Sequence, residues 1–310
     1  MENRNFMAKK MEIIMRKKSS AIIYGLIICL VFSAHGLYAE ETPVESSTEL
    51  TLQMASTMAA KFLVTQRYRF PFLQGTSPLT KGNNIGLALT GEITPVSIGG
   101  SVTATITPVA FMEFTAGGRI GSGWNLEGIG AYGMGFNVQP DPDGERKVDG
   151  RPFDGLHWSV RTGGAFQFNF AAVFPGDWNN VVIRTFHEIK HAGYSRARAG
   201  ESWFFENDDG ENRNGFIYRG SYLIGYQMPL FLNLAAFLAE ADLHLYDTIY
   251  RTGRGGSEMR WTLSGVFNFA VHERLNITIV CQFRNLNVGS SNPRRMEFYR
   301  VAAVLTYRLR

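Results

Sequence analysis

No stretch of 18 apolar residues occurs in this 310-residue chain. The apolar run Ala21–Phe32 has 12 residues, short of the ~20 that carry a helix across a bilayer. A helical membrane bundle is therefore excluded, and mean hydropathy is near zero. Charge is sparse at 19% of residues, low for a soluble domain. Cysteine is nearly absent, with only Cys29 and Cys281. Cys29 falls in the apolar run, so a chain that loses that run keeps one thiol and forms no intrachain disulfide. Basic excess is also missing from the body of the protein. The formal charge is +4, but residues 1–39 hold six bases (Arg4, Lys9, Lys10, Arg16, Lys17, Lys18) against Glu2 and Glu12. The remainder is about neutral, which argues against a nucleic-acid partner.

What is present begins with a leader. Arg16-Lys17-Lys18, the apolar run, and Ser-Ala-His-Gly-Leu-Tyr-Ala form a basic region, a hydrophobic region and a small-residue exit, the pattern of a secretory signal peptide. Cleavage is expected after Ala39, giving a signal peptide over 1–39, with Met11 or Met15 serving as starts as well as Met1. Ile28 before Cys29 is poor for lipid attachment. Residues 40–57 are polar and read as a periplasmic lead-in, leaving 58–310 as the folded body.

That body is rich in glycine, with 33, and in aromatics, at 13%, and it alternates with period 2. Residues 259–271 put Met259, Trp261, Leu263, Gly265, Phe267, Phe269 and Val271 on one face, with Arg260, Thr262, Ser264 and Asn268 on the other. Residues 156–174, 275–284 and 298–309 repeat the pattern, which marks strands with one apolar face. Ten strands are expected, at 58–72, 84–97, 100–117, 155–173, 179–195, 214–227, 230–247, 257–271, 274–288 and 295–309. The connections alternate between short (Ile98-Gly99, 175–177, Met228-Pro229, His272-Glu273) and long (73–83, 118–154, 196–213, 248–256, 289–294). Short turns on one side and long loops on the other characterise an outer-membrane barrel. The fold class expected is all-β: a single antiparallel up-and-down transmembrane β-barrel of about ten strands, in the bacterial outer membrane with periplasmic termini.

A soluble sandwich or lipocalin-like barrel would alternate too, with its apolar face inward. The leader, the strand count and the aromatics decide for the membrane. Tyr218, Tyr222, Tyr226, Trp261, Tyr299 and Tyr307 share the apolar phase, as interfacial girdles do. The opposite phase supplies candidate lumen residues: Arg67, Arg69, Glu92, Glu113, Arg161, Arg184, Glu188, Lys190, Arg219, Glu240, Asp242, His244, Arg260, Arg284 and Arg300, with Lys61 beside them. Arg219 is expected to pair diagonally with Glu240.

The runs Leu-Thr-Gly-Glu-Ile-Thr-Pro-Val-Ser-Ile (89–98), Thr-Pro-Val-Ala-Phe-Met-Glu-Phe-Thr-Ala-Gly-Gly (107–118), Gly-Ser-Gly-Trp-Asn (121–125), Gly-Tyr-Gln-Met-Pro-Leu-Phe-Leu-Asn (225–233) and the ending 298–310 resemble outer-membrane β-barrel proteins of spirochaetes. The resemblance implies a location more than an activity. Many barrels end in a Phe read by the assembly machinery. This chain ends in Leu309-Arg310, so Tyr307 or Leu309 would take that part.

Two motifs suggest chemistry. His187-Glu188-Ile189-Lys190-His191 matches H-E-x-x-H, a zinc-peptidase pattern that works on a helix. On a strand the two histidines stand about 13 Å apart, too far to share a metal, and the β-branched surroundings read as strand; Glu201 and Glu206 are the third ligands on offer. Asp141 and Asp143, with Asp242 and His244, resemble the Asp–Asp and Asp–His pairs of omptin surface proteases, although Asp-Pro-Asp-Gly is equally an ordinary turn. No catalytic residue, metal or cofactor is assigned. The function expected is a structural barrel or small-solute pore with a charged lumen, and the alternative is a surface binding protein acting through loops 118–154 and 196–213. The partners expected are outer-membrane lipid, the barrel-assembly machinery, and a small solute or extracellular ligand.

Overall fold

The computed structural model describes residues 44–138, 147–206, 212–246, 259–285 and 296–309. The expected signal peptide lies outside them. Twelve antiparallel strands form a closed barrel: β1 (Glu45–Ala55), β2 (Ala60–Pro71), β3 (Asn84–Thr94), β4 (Ser97–Val109), β5 (Met112–Gly123), β6 (His157–Asn169), β7 (Val181–Tyr194), β8 (Gly215–Gln227), β9 (Leu232–His244), β10 (Arg260–His272), β11 (Leu275–Asn285) and β12 (Met296–Leu309). Each strand pairs with its neighbours in sequence, and β12 returns to pair with β1 from Thr48↔Leu309 to Ala55↔Ala302.

The count corrects the expected ten, in two places. Glu45–Ala55, expected within a lead-in, is a barrel strand. Its inward face is Glu45, Ser47, Glu49, Thr51 and Gln53, but its outward face starts with Ser46 and Thr48 and turns apolar only from Leu50, so half of it lacks the expected signature. The second place is 100–117, read as one strand. It belongs to two, β4 and β5, folded about Ala110-Phe111. Neither residue is a customary turn former, and the register irregularity that prepares the turn falls at Thr107-Pro108, between the Ile106 and Val109 pairs. Conversely, Ile98-Gly99 is not a turn but lies within β4. The reversal comes at Pro95-Val96, where Thr94 Oγ1 and Ser97 Oγ meet at 2.7 Å.

These two corrections cancel in parity. One barrel end carries the start of β1, the end of β12 and the connections 72–83, 110–111, 170–180, 228–231 and 273–274; the other carries 56–59, 95–96 and the long connections 124–156 and 195–214. From β6 onward, strand directions follow the expected ones. The 73–83 connection, expected among the long outer loops, lies instead at the end where β1 starts and β12 finishes.

Polarity is inverted relative to a soluble barrel. Every strand exposes at least one large apolar side chain outward, among them Leu52, Phe62, Leu89, Val102, Phe114, Val160, Ile189, Phe216, Phe237, Phe267, Phe283 and Val301. Aromatic rings group on this outer face. Trp158 stacks on His191, which meets Phe216 edge-on at 4.7 Å, and Tyr222 stacks toward Trp261.

The apolar core sits inside one mouth of the barrel. Trp203–Phe205 pairs with Met134–Val138, and that segment with Lys147–Gly150, in a small three-stranded sheet built from the two long connections. Met134, Trp203 and Phe205 pack with Ala192 and Tyr194 of β7 and Ile217 of β8. The Trp203 indole N–H donates to Asn214 Oδ1 (2.9 Å), and the Tyr194 hydroxyl donates to the Asp154 carbonyl (2.5 Å). Gly121 makes room: a Cβ there would stand 2.9 Å from Phe205 Cζ.

Trp203 is 2% exposed, and truncating a buried Trp costs about 3–5 kcal/mol. Trp203→Ala should therefore release the loop sheet while leaving the strand ladder closed. Limited proteolysis should cut 195–214 faster in the variant, with heat-modifiable gel migration retained. Equal protease resistance would show that the indole does not hold the loop.

Candidate functional site

Period-2 alternation on twelve strands converges the inward side chains on a lumen. Its larger cavity, about 1070 Å³, and a second of about 670 Å³ share Glu49, Arg67, Ala88 and Thr105 as lining residues. Of the fifteen lumen candidates, Arg67, Glu92, Arg161, Glu188, Lys190, Arg219, Asp242, His244, Arg260, Arg284 and Arg300 line the larger cavity, and Arg67, Arg69 and Glu113 line the smaller. Arg184 donates to Glu113 Oε1 at 3.2 Å, and Glu240 shares the face of Asp242 on β9.

These charges are organised as separate clusters. Toward the end where β1 starts and β12 finishes, Arg67 pairs with Glu49 at 2.8 Å, Arg308 approaches the same carboxylate at 3.6 Å, and Arg69 meets Glu45 at 3.5 Å. Midway, Arg161 lies 3.9 Å from Glu188 and donates to Thr103 Oγ1 at 2.9 Å. Across β8, β9 and β10, Asp242 is held from both sides: Arg219 donates to Oδ1 at 2.8 Å and Arg260 to Oδ2 at 3.0 Å. Arg219 thus takes Asp242, its directly opposed partner, and not the diagonal Glu240, which stands across from Ser221. The basic wall continues onto β11 and β12, where the Arg284 guanidinium lies 3.7 Å from the Tyr299 ring centroid and Arg300 donates to Gln282 Oε1 at 2.6 Å. Tyr299 therefore lines the lumen, contrary to its expected place on the apolar face, because the β11–β12 register shifts beside it.

At the mouth with the long loops, one cluster joins barrel and loop. Glu206, the residue after the Trp-Phe-Phe run, reaches inward. Its Oε1 accepts from Arg119 Nη2 (2.6 Å), Ser97 Oγ (2.9 Å) and Lys61 Nζ (3.2 Å), and its Oε2 accepts from Lys61 at 2.9 Å. Glu92 completes the group through an ion pair with Arg119 and another with Lys61 at 3.5 Å. Phe205 stacks on His157 with 4.4 Å between centroids and carries Arg119 at 5.1 Å from its own centroid. Burial alone would raise the Glu206 carboxyl, but Arg119 and Lys61 outweigh it and hold the group below the ordinary carboxylate range.

Arg119, Glu49, Arg308 and Glu206 were not among the expected lumen residues. Arg119 falls within the expected loop 118–154 and Glu49 within the expected lead-in, although the alternation Glu113-x-Thr115-x-Gly117-x-Arg119 runs on past residue 117. Glu206 lies beyond the strands, where periodicity carries no information.

Strand geometry separates the His187-Glu188-Ile189-Lys190-His191 residues between the two faces of β7. His187 and His191 point outward from β7 and Glu188 inward, and His187 Nδ1 lies 2.7 Å from the Tyr218 hydroxyl. Both Asp242 oxygens are engaged by arginine, while His244 stacks on Tyr246 at 4.9 Å; Asp141 and Asp143 lie outside the described residues.

No protein-family model and no curated protein matches the chain. Among solved structures, it is similar to the KdgM porin (11% identity, TM-score 0.41, covering 84% of this chain and 98% of that one). Another similar structure is the NanC porin (8%, 0.41, 84% and 97%). The transport unit of the autotransporter AIDA-I from Escherichia coli is a third (9%, 0.41, 91% and 96%). At these values the likenesses add nothing to what the strand pairing establishes.

A depressed carboxyl contributes stability that is complete above its unfolded pKa and lost as pH falls through its folded one. Docking of 203–206 should therefore hold at neutral pH and weaken as pH falls below the ordinary glutamate value of about 4.3, through the lower folded one. Hydrogen exchange of the 203–206 amides reads this directly, and in Glu206→Gln the acid-dependent step should shrink. An unchanged step in that variant would assign it to another group.

Proposed function

We propose that this chain is a bacterial outer-membrane pore for small solutes, with its termini in the periplasm and its outer mouth narrowed by its own loops. The observation that carries this reading is the inverted polarity: an apolar exterior on all twelve strands around a charged cavity of about 1070 Å³. In lipid no water pairs the backbone, so a closed barrel is one of the two structures that can cross. A soluble barrel would turn these apolar faces inward.

Connection length supports the orientation: the two longest connections, 124–156 and 195–214, lie opposite the end where β1 starts, and long loops face the outside in barrels of this kind. Secretion behind the 1–39 leader, with assembly recognition through Tyr307 or Leu309, fits that orientation. Both side chains face outward on β12, each 40% exposed. Affiliation with spirochaetal barrels rests on the sequence runs alone. The binding-protein alternative gains nothing from Trp203, Phe204 and Phe205, which are buried and so offer no contact patch.

Planar-bilayer recording of the purified, refolded protein should show discrete conductance steps. Arg260→Glu should shift ion preference toward cations, because it reverses one charge on the basic β10–β12 wall. Silent membranes at every voltage would overturn the pore.

A further inference from the structure

The Glu206 carboxylate is seated as a ligand would be. We propose that Lys61, Ser97 and Arg119 form a binding site for the carboxylate of a small monoanionic solute, and that Glu206 occupies it as a tethered competitor. The inference deepens the pore reading by naming a solute class, and it rests on that reading only for the solute's route.

Three features carry it. First, the donors are set independently of Glu206. Ser97 is 1% exposed and its hydroxyl is already engaged with Thr94, while Glu92 orients Arg119 through Nε and leaves Nη2 toward the cradle. Second, the charge balance calls for one anion. Lys61 and Arg119 face Glu92, so withdrawal of Glu206 leaves a single net positive charge in a partly buried setting, where an unpaired charge is costly. Third, the resident is an imperfect occupant. Glu206 has φ +57°, a left-handed conformation that costs a residue with a Cβ; a free carboxylate reaches the same donors without that strain.

The cradle's surroundings narrow the class. Lys61, Arg119, His157 and Glu206 all line the larger cavity, so the site opens on the solute path. Phe205 lies parallel to the His157 ring, with 7° between planes. When Phe205 and Glu206 withdraw together, an imidazole face is bared beside the cradle. A carboxylate attached to a planar ring matches both vacated positions.

Sodium benzoate is the probe, titrated calorimetrically into the full-length protein folded in detergent, with sodium chloride at equal ionic strength as control. A short tether supplies a competitor at an effective concentration in the mM range, so Glu206→Gln should bind benzoate about tenfold more tightly than the unmutated protein. Adding Arg119→Gln should abolish that gain. In the unmutated protein, benzoate but not chloride should speed hydrogen exchange of the 203–206 amides, which decides the matter if the Glu206 variant does not fold. Equal affinity with and without Glu206, binding that survives loss of Arg119, or unchanged exchange would overturn the site. A channel that conducts without binding benzoate removes the site and keeps the pore; a protein that binds benzoate without conducting does the reverse.

Discussion

Everything in this molecule depends on the pairing of β12 with β1. A sheet that did not close would leave two edges of unpaired amides and carbonyls, which lipid cannot satisfy. Closure through Thr48↔Leu309 to Ala55↔Ala302 removes both edges and fixes the circumference at twelve strands. It also forces the division of labour along each strand: with period 2, one set of side chains must meet the surroundings and the other the lumen. The apolar exterior and the charged interior are two consequences of one closed ladder.

Inside that ladder, three acids are each held between two bases. Asp242 lies between Arg219 and Arg260, Glu49 between Arg67 and Arg308, and Glu206 between Lys61 and Arg119. Each acid bridges bases from different strands, so the pairs brace the wall across its width as well as setting the field a solute meets. The third cluster differs in kind, because its acid comes from a loop. There the barrel wall supplies a site and the loop supplies an occupant, which links the packing of Trp203 and Phe205 to the electrostatics of the mouth.

Face assignment was legible in the sequence wherever an outward row of bulky residues alternated with polar ones, as in β10 and β11. It failed where chemistry and geometry part company. Ser46 and Thr48 make the first half of β1 polar on both faces, and Ala110-Phe111 reverses the chain without a turn former. Parity names a face but not a partner, so Arg219 could be placed inward while its choice of Asp242 over Glu240 depended on register. The same limit moved Tyr299 inward, since one register shift flips the rows beyond it. Glu206 was out of reach altogether, because its role is set by a loop that folds back into the mouth.

The closure itself is open to a direct measurement. Thr51 and Thr306 are Cα partners across β1 and β12, and Cys281 is the one cysteine among the described residues. In a Cys281→Ser background, Thr51→Cys with Thr306→Cys should form a disulfide under mild oxidation in the folded protein, joining the first and last strands. Complete absence of that cross-link in protein that migrates as a folded barrel would mean that 45–55 is not a wall strand, and the twelve-strand account would fail.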